Sequence, residues 1–286
     1  MSKQNDCIVF QGEEGANSHI ACLEAYPDMR AQPCATFDDV FAAVTKGDAR
    51  LGMIPIENSL AGRVADIHSL LPDSDLHIVG EHFMRVHHHL LGVPGAKLKD
   101  LRTVQSHVQA LSQCRALLLE LGLQSRVAAD TAGSAREVAA AGDKTCAAIA
   151  SKLAGEIYGL ETLRENIEDM THNTTRFVAI SAEPHKMDSS AQNCITSFVF
   201  RVRNVPAALY KAMGGFATNG VNMTKLESYQ LEGNFYATQF YADIEGHPEQ
   251  RPVALALEEL GFFTTEVRIL GVYAASPFRD RIKEES

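Results

Sequence analysis

Short apolar runs recur along the N-terminal part of the chain, and each ends in small polar residues that open a helical pattern. The first run, residues 7–10, leads into Gln11-Gly12-Glu13-Glu14-Gly15-Ala16-Asn17-Ser18-His19, and a helical pattern follows from Ile20 to Tyr26, stopped by Pro27. A glycine loop between strand and helix leaves backbone N–H groups where an anion can dock. The G-x-x-G spacing is neither a dinucleotide fingerprint nor a P-loop, and a plain βα turn is the alternative. Thr36 or Asp38 caps the next helix, which runs through Val40, Phe41 and Val44 to Gly47. Residues 51–56 form a buried-type strand that delivers Glu57-Asn58-Ser59 at its end; Gly62 and a helix through Val64, Ile67, Leu70 and Leu71 follow. Those three polar residues read either as ligand-facing groups at a strand's carboxyl end or as a helix cap.

Residues 76–93 read as extended. In a strand, His87 and His89 of the run His87-His88-His89 share one face. No carboxylate or cysteine cluster accompanies them in sequence, so no metal is expected. Residues 103–105 lead into Ser106-His107-Val108-Gln109-Ala110-Leu111 and a helix through Leu117 and Leu119 to Gly122. Residues 127–129 lead into Asp130-Thr131-Ala132-Gly133-Ser134 and an Ala-rich helix; residues 146–149 and a helix over 151–158 repeat the form. Asn173-Thr174-Thr175-Arg176-Phe177 then runs into Val178, Ala179 and Ile180. Two hydroxyls and a guanidinium at the mouth of a buried strand suit a carboxylate, which matches the planar fork of arginine. A surface turn feeding a strand, with threonines chosen for β propensity, is the plainer alternative.

This repeat of form predicts a two-lobed, doubly wound α/β domain whose polar strand ends converge on one crevice. One lobe covers residues 7–80 plus the returning strand at 176–181, and the other residues 81–165. A chain that leaves one lobe, builds a second and returns makes a clamp with a hinge. The domain spans 1–182. Residues 183–193, with Pro184, Ser189 and Ser190, read as a linker. Over 194–276 the order becomes strand (195–202), helix (206–218), a hairpin pair (222–231 and 235–244) across Glu232-Gly233-Asn234, helix (248–260) and strand (267–273). That βαββαβ order is ferredoxin-like. Residues 277–286 remain as a tail.

Composition narrows the function classes. A hydrophobic share of 45% and a charged share of 22% in 286 residues suit a globular protein of two or three compact units. A net charge of -10 argues against nucleic acid and against anionic membrane surfaces as partners. An anionic substrate then needs a local positive site. The start lacks an apolar signal-peptide core, and no run is long enough to span a bilayer. The six cysteines show no C-x-x-C spacing, so reduced thiols in a cytoplasmic protein are expected.

The motifs together resemble the prephenate dehydratase family with a C-terminal ACT regulatory domain. The resemblance rests on Gly12-Glu13-Glu14-Gly15 with Ser18-His19, Ile54-Pro55-Ile56-Glu57-Asn58-Ser59 with Gly62, Ser106-His107 with Gln109-Ala110-Leu111, Asp130-Thr131-Ala132, and Asn173-Thr174-Thr175-Arg176-Phe177, in the family's order. It implies loss of water and CO₂ from prephenate to give phenylpyruvate, in the route to phenylalanine, with no cofactor and no metal. Catalytic residues by resemblance are Thr175, Arg176 and Phe177, with Glu57, Asn58, Ser59, Ser106, His107 and Thr131. Gly15, Ser18, Asn173 and Thr174 are the expected substrate-binding residues. The family's essential threonine falls on Thr175.

In the ACT domain the family's Gly-Ala-Leu stretch reads Ala207-Ala208-Leu209, and its Glu-Ser-Arg-Pro motif reads Glu227-Ser228-Tyr229-Gln230. Ala207, Ala208, Leu209, Asn222, Glu227 and Ser228 are the expected effector residues, phenylalanine being the expected effector and a homodimer or homotetramer the expected assembly. The departures put phenylalanine binding in question, because a glycine that permits close backbone approach is replaced. No segment corresponds to a chorismate mutase domain, so the resemblance is to the monofunctional form. Arogenate dehydratase is the nearest alternative. A non-catalytic two-lobed anion-binding or sensor protein is a second.

Overall fold

The computed structural model describes residues 6–203, 205–230 and 237–285. The apolar runs become strands and most polar clusters after them become helix starts; Glu57-Asn58-Ser59 does not cap a helix, because Glu57 and Asn58 end a strand and the next helix starts only at Ala65. In chain order these are β1 (Cys7–Gln11), α1 (Asn17–Ala25), β2 (Arg30–Cys34), α2 (Phe37–Lys46), β3 (Leu51–Asn58), β4 (Gly62–Arg63), α3 (Ala65–Asp73), β5 (His77–Arg85) and β6 (His89–Gly92). Next come β7 (Thr103–His107), α4 (Val108–Gln113), α5 (Arg115–Glu120), β8 (Gln124–Ala128), α6 (Thr131–Ala141), β9 (Cys146–Ala150), α7 (Lys152–Tyr158), β10 (Glu161–Arg164) and β11 (Thr174–Ser181). The rest is β12 (Cys194–Val202), α8 (Ala208–Thr218), β13 (Met223–Gln230), β14 (Ala237–Glu245), α9 (Arg251–Phe263), β15 (Thr264–Ala274) and α10 (Phe278–Glu285).

The chain divides into two compact units, residues 1–64 with 83–177, and residues 65–82 with 178–286. The first holds most of the two-lobed α/β fold, while residues 77–82 and 178–181 of its strands are counted with the second. One sheet has the order β2-β1-β3-β11-β5 with β4 on β3, so the returning strand enters between β3 and β5. The second has the order β10-β6-β9-β7-β8. Its β7 pairs parallel with β8 and β9, whereas β6 pairs antiparallel with β9 and β10. Each sheet buries apolar side chains beneath its helices: Ile8, Phe10, Ile54 and Ile56 in one, Leu90, Val104, Ala147 and Ile149 in the other.

Local chemistry sets the helix starts. Thr36 accepts from the Asp39 N–H while the Asp39 carboxylate accepts from the Thr36 N–H, a reciprocal capping box. Asp130 caps α6 by accepting from Gly133, and Ser151 caps α7 by accepting from Ala154. The single helix expected over 108–121 is two. Its break is at Cys114, where the Asp169 carboxylate accepts from the Arg115 and Ala116 N–H groups and so starts α5. Helix α1 begins at Asn17, earlier than its first apolar residue.

The second unit is the ferredoxin-like βαββαβ fold, with sheet order β13-β14-β12-β15. Phe198, Phe200 and Phe240 of the sheet pack with Phe216 of α8 and Leu260 of α9. The turn expected across Glu232-Gly233-Asn234 lies outside the described residues. Segment 65–82 belongs to this unit. The Arg268 guanidinium donates to the carbonyls of Pro72 and Ser74. Gly271 lies so close to the Ile78 carbonyl that a Cβ would stand 2.0 Å from its oxygen. Arg279 of α10 holds the buried Glu81 carboxylate by two hydrogen bonds of 2.6 and 2.8 Å. Among the described residues no helix is long and apolar enough to cross a membrane.

Candidate active site

A cleft of about 310 Å³ opens between the two sheets of the first unit. Gln11, Gly12, Ala16, Asn17 and Ser18 line it from β1 and the start of α1, and Pro55 and Asn58 from β3. Thr175 and Phe177 come from β11, with Asn173 before them. The opposite wall supplies His107, Gln109 and Gln113 around α4, and Asp130 and Thr131 at the start of α6. His88, between β5 and β6, completes the floor.

Strand alternation decides which side chains arrive. On β11, Thr175 and Phe177 face the cleft, and Arg176 therefore faces the other way. Arg176 is 2% exposed and donates to the Glu57 carboxylate at 3.0 Å, its guanidinium lying 5.8 Å from the Phe83 ring centre. At the end of β3, Asn58 lines the cleft and Glu57 accepts from Arg176. Neither Arg176 nor Glu57 is among the cleft-lining residues, and no described lining residue is Arg or Lys.

The other expected residues divide likewise. Asn58, His107, Thr131, Ser18 and Asn173 line the cleft with Thr175 and Phe177. Ser106 is fully buried and donates to the Ile149 carbonyl at 2.6 Å, tying β7 to β9. Ser59 donates to the His172 carbonyl and accepts from the Thr174 N–H, so it and Thr174 fix the loop before β11. Gly15, at φ +86°, gives its carbonyl to the Ser151 hydroxyl at 2.5 Å and its N–H to His19 Nδ1. It docks the glycine loop onto α7 without lining the cleft. A bidentate Arg136–Glu13 pair fastens the same loop to α6.

The polar groups around Thr175 form one chain whose direction is determined. The N–H groups of Leu60 and Ala61 donate to Asn58 Oδ1 at 3.0 and 2.9 Å. Backbone N–H groups only donate, so the Asn58 amide nitrogen must lie at the other end. That nitrogen donates to Asn173 Oδ1 at 2.8 Å and to Thr175 Oγ1 at 2.9 Å. Asn173 Nδ2 in turn donates to Gln113 Oε1 at 2.9 Å. Thr175, which lines the cleft, therefore accepts from Asn58, and its own proton is left for another acceptor.

Gln113 and His88 are site residues that sequence reasoning missed. Gln113 lies one helical turn after Gln109, so the two share a face of α4. His88 points opposite to His87 and His89, which line a separate cavity of about 540 Å³ with Arg85 and Lys152. Burial holds His88 below its ordinary pKa, against the opposing pull of Gln113 and Glu168. Burial works to raise the Glu168 carboxyl, but the His88 N–H, its own N–H and the His87 ring bring it below the usual range. Among the described residues no group of His, Cys, Asp and Glu is placed to hold a metal.

In the second unit, Ala207 precedes α8 at φ +58°, the left-handed region that glycine occupies without strain. Ala208 is buried at the helix start, and Leu209 packs against the phenylalanine core. The Asn222 carbonyl accepts from the Glu245 N–H, Glu227 pairs with Lys225 at 3.5 Å, and Ser228 stands opposite Phe240 on β14.

A two-lobed α/β fold with a hydroxyl- and amide-lined cleft suits the binding of a small polar molecule. Residues 8–185 match the prephenate dehydratase family, and the chain belongs to it. It is 55% identical to a bifunctional N-acyl-homoserine lactone acylase/prephenate dehydratase of Komagataeibacter europaeus, over 95% of this chain and 97% of that protein. It is 38% identical to arogenate dehydratase/prephenate dehydratase 2 of Arabidopsis thaliana, a chloroplastic protein, over 93% of this chain and 72% of that one. Among solved structures it is similar to prephenate dehydratase of Arthrobacter aurescens in complex with L-Phe, with a TM-score of 0.85, 28% identity, and coverage of 94% of this chain and 89% of that one.

Proposed function

We propose that this protein converts prephenate to phenylpyruvate, CO₂ and water. The observation that carries the reading is the fixed direction of the chain Asn58–Thr175, which makes Thr175 an acceptor from Asn58 and leaves its O–H to donate within the cleft that it lines. Loss of the ring hydroxyl needs a donor at the departing oxygen, and loss of the carboxylate needs none. The C1–carboxylate bond breaks, its electron pair enters the ring, and the C4–O bond breaks as the ring becomes aromatic. The departing hydroxide takes one proton, so the products balance. A Thr175 hydrogen bond that strengthens as charge grows on that oxygen lowers the barrier, an effect worth on the order of 10²–10⁴ in rate. Aromatisation supplies the drive, and no redox or group-carrying cofactor enters the balance.

The dicarboxylate is held without a cationic side chain in the described lining. The first turns of α1 and α6 border the cleft, and their N–H groups and partial positive charge suit carboxylate oxygens. Gln11, Asn17 and Gln109 add polar side chains. Arg176 and Glu57 act from behind, fixing the strand ends that carry Thr175 and Asn58.

The ferredoxin-like unit is read as an ACT domain that takes L-phenylalanine, the ligand with which the Arthrobacter protein is in complex. Ala207 stands where the family has its glycine, and it sits in the left-handed region that glycine enters most readily.

A second activity, hydrolysis of N-acyl-homoserine lactone amides, is favoured by the 55% identity to a relative named for both reactions. The deciding experiment incubates purified protein with prephenate, with arogenate and with an N-acyl-homoserine lactone, each with and without L-phenylalanine. Phenylpyruvate from prephenate, suppressed by phenylalanine, is expected. Phenylalanine formed from arogenate alone replaces the substrate assignment, and silence with both refutes the dehydratase reading.

A further inference from the structure

No step of the dehydration uses the run His87-His88-His89. Its middle member is 4% exposed, lines the cleft and sits 2.8 Å from Gln113 Oε1 through Nε2. The fixed direction of the hydrogen-bond chain extends to it. Gln113 Oε1 already accepts from Asn173, whose own orientation is set through Asn58 by two backbone N–H groups. An oxygen cannot donate, so His88 must carry its proton on Nε2.

From this geometry we infer that His88 is a positioning residue, which holds Gln113 with its amide N–H₂ presented to the cleft as a substrate donor. The inference rests on the dehydratase reading. With two donors on Oε1, the Gln113 side chain has one orientation in which both bonds are made. Its nitrogen then faces the cleft wall that Gln113 lines. His88 is itself clamped: its N–H donates to Glu168 at 3.0 Å, and its carbonyl accepts from the Ile167 N–H at 2.9 Å. The ring is therefore delivered by rigid backbone. Burial favours the neutral imidazole, and neutrality leaves one N–H to assign.

The substrate class follows. A donor amide at this wall, in a cleft with no described cationic lining, recognises a carboxylate or carbonyl oxygen of a small anion, acting together with the hydroxyl of Thr175.

Two variants and one spectrum test it. His88→Leu removes the Nε2–H and is expected to lower kcat/KM for prephenate roughly ten- to a hundredfold, the scale of a misplaced binding group. His88→Gln, whose amide reaches the same oxygen, is expected to recover most of that loss. In a Gln113→Leu background the His88→Leu penalty should vanish, because His88 acts only through Gln113. A penalty of equal size in both backgrounds overturns the inference, as does a His88→Gln variant no better than His88→Leu. Nitrogen NMR of the wild-type imidazole reads the tautomer without any substrate. The Nε2–H form is expected, and the Nδ1–H form refutes the assignment. Wild-type protein inert toward prephenate but showing the Nε2–H form would fault the dehydratase reading and not the hydrogen-bond chain.

Discussion

The Asn58 amide nitrogen stands 2.9 Å from Thr175 Oγ1 across 117 residues of sequence, and two backbone N–H groups prevent that amide from turning round. Asn58→Asp keeps an acceptor for Leu60 and Ala61 but has no hydrogen to give Thr175 or Asn173. The expected result is a loss of prephenate turnover of roughly 10²-fold, with an unchanged circular dichroism spectrum. Turnover close to wild type would mean that the direction of the chain is immaterial.

Gly15 is the second point of leverage. Its φ of +86° lies in the left-handed region, and a Cβ there would stand 2.6 Å from the Ala154 Cα. Backbone strain and the clash act together, so Gly15→Ala is expected to cost more than about 2 kcal/mol in urea unfolding. Because Gly15 ties the glycine loop to Ser151, turnover should fall alongside stability.

In the second unit, Arg279 neutralises Glu81, whose side chain is fully buried. Removing one partner of a buried pair costs the other the compensation that pair supplies, so Arg279→Ala should destabilise, by roughly 3–5 kcal/mol for a pair of this kind. Arg279→Ala with Glu81→Gln should recover part of that cost. Thermal melts of the two variants against wild type provide the check.

Stability should also fall in mild acid. Burial holds His19, His88 and His89 below their ordinary value, which for free histidine is about 6.5. Below that value the unfolded chain takes up protons that these rings refuse in the folded state. Their contribution is thus intact above the unfolded value and is lost as pH falls toward the lower folded values. A urea midpoint that declines from pH 7 to pH 5, with a shallower slope in His88→Gln, is the expected result.

The sequence carried the two-lobed architecture because each strand of the sheet centres is apolar and each runs into a polar stretch. Cys7–Gln11, Leu51–Asn58 and Cys146–Ala150 announce themselves that way. Arg30–Cys34 does not: it is an exposed edge strand carrying Pro33, with no buried face to impose alternation. Edge strand Gln124–Ala128 is similarly polar, and only its last residues stood out. The site was legible by type but not by direction. Thr175, Asn58, His107 and Thr131 were named and line the cleft. Arg176 looked like the substrate's counter-charge, yet its neighbour Thr175 takes the cleft face, and period-two alternation then sends Arg176 to Glu57. Gln113 escaped notice because it ends a short helix with nothing local to mark it. His88 escaped because three adjacent histidines invite a metal reading, while the middle one lines a different cavity from His87 and His89.

The measurement that bears most directly on the role of Thr175 is phenylpyruvate formation from prephenate by wild-type protein and by Thr175→Val, which replaces the hydroxyl by a methyl of the same shape. Robust wild-type turnover is predicted, with a kcat lower by about 10²–10⁴ in the variant and much of the activity retained in Thr175→Ser. A Thr175→Val enzyme that matches wild type, or a wild type that leaves prephenate untouched, would contradict that role.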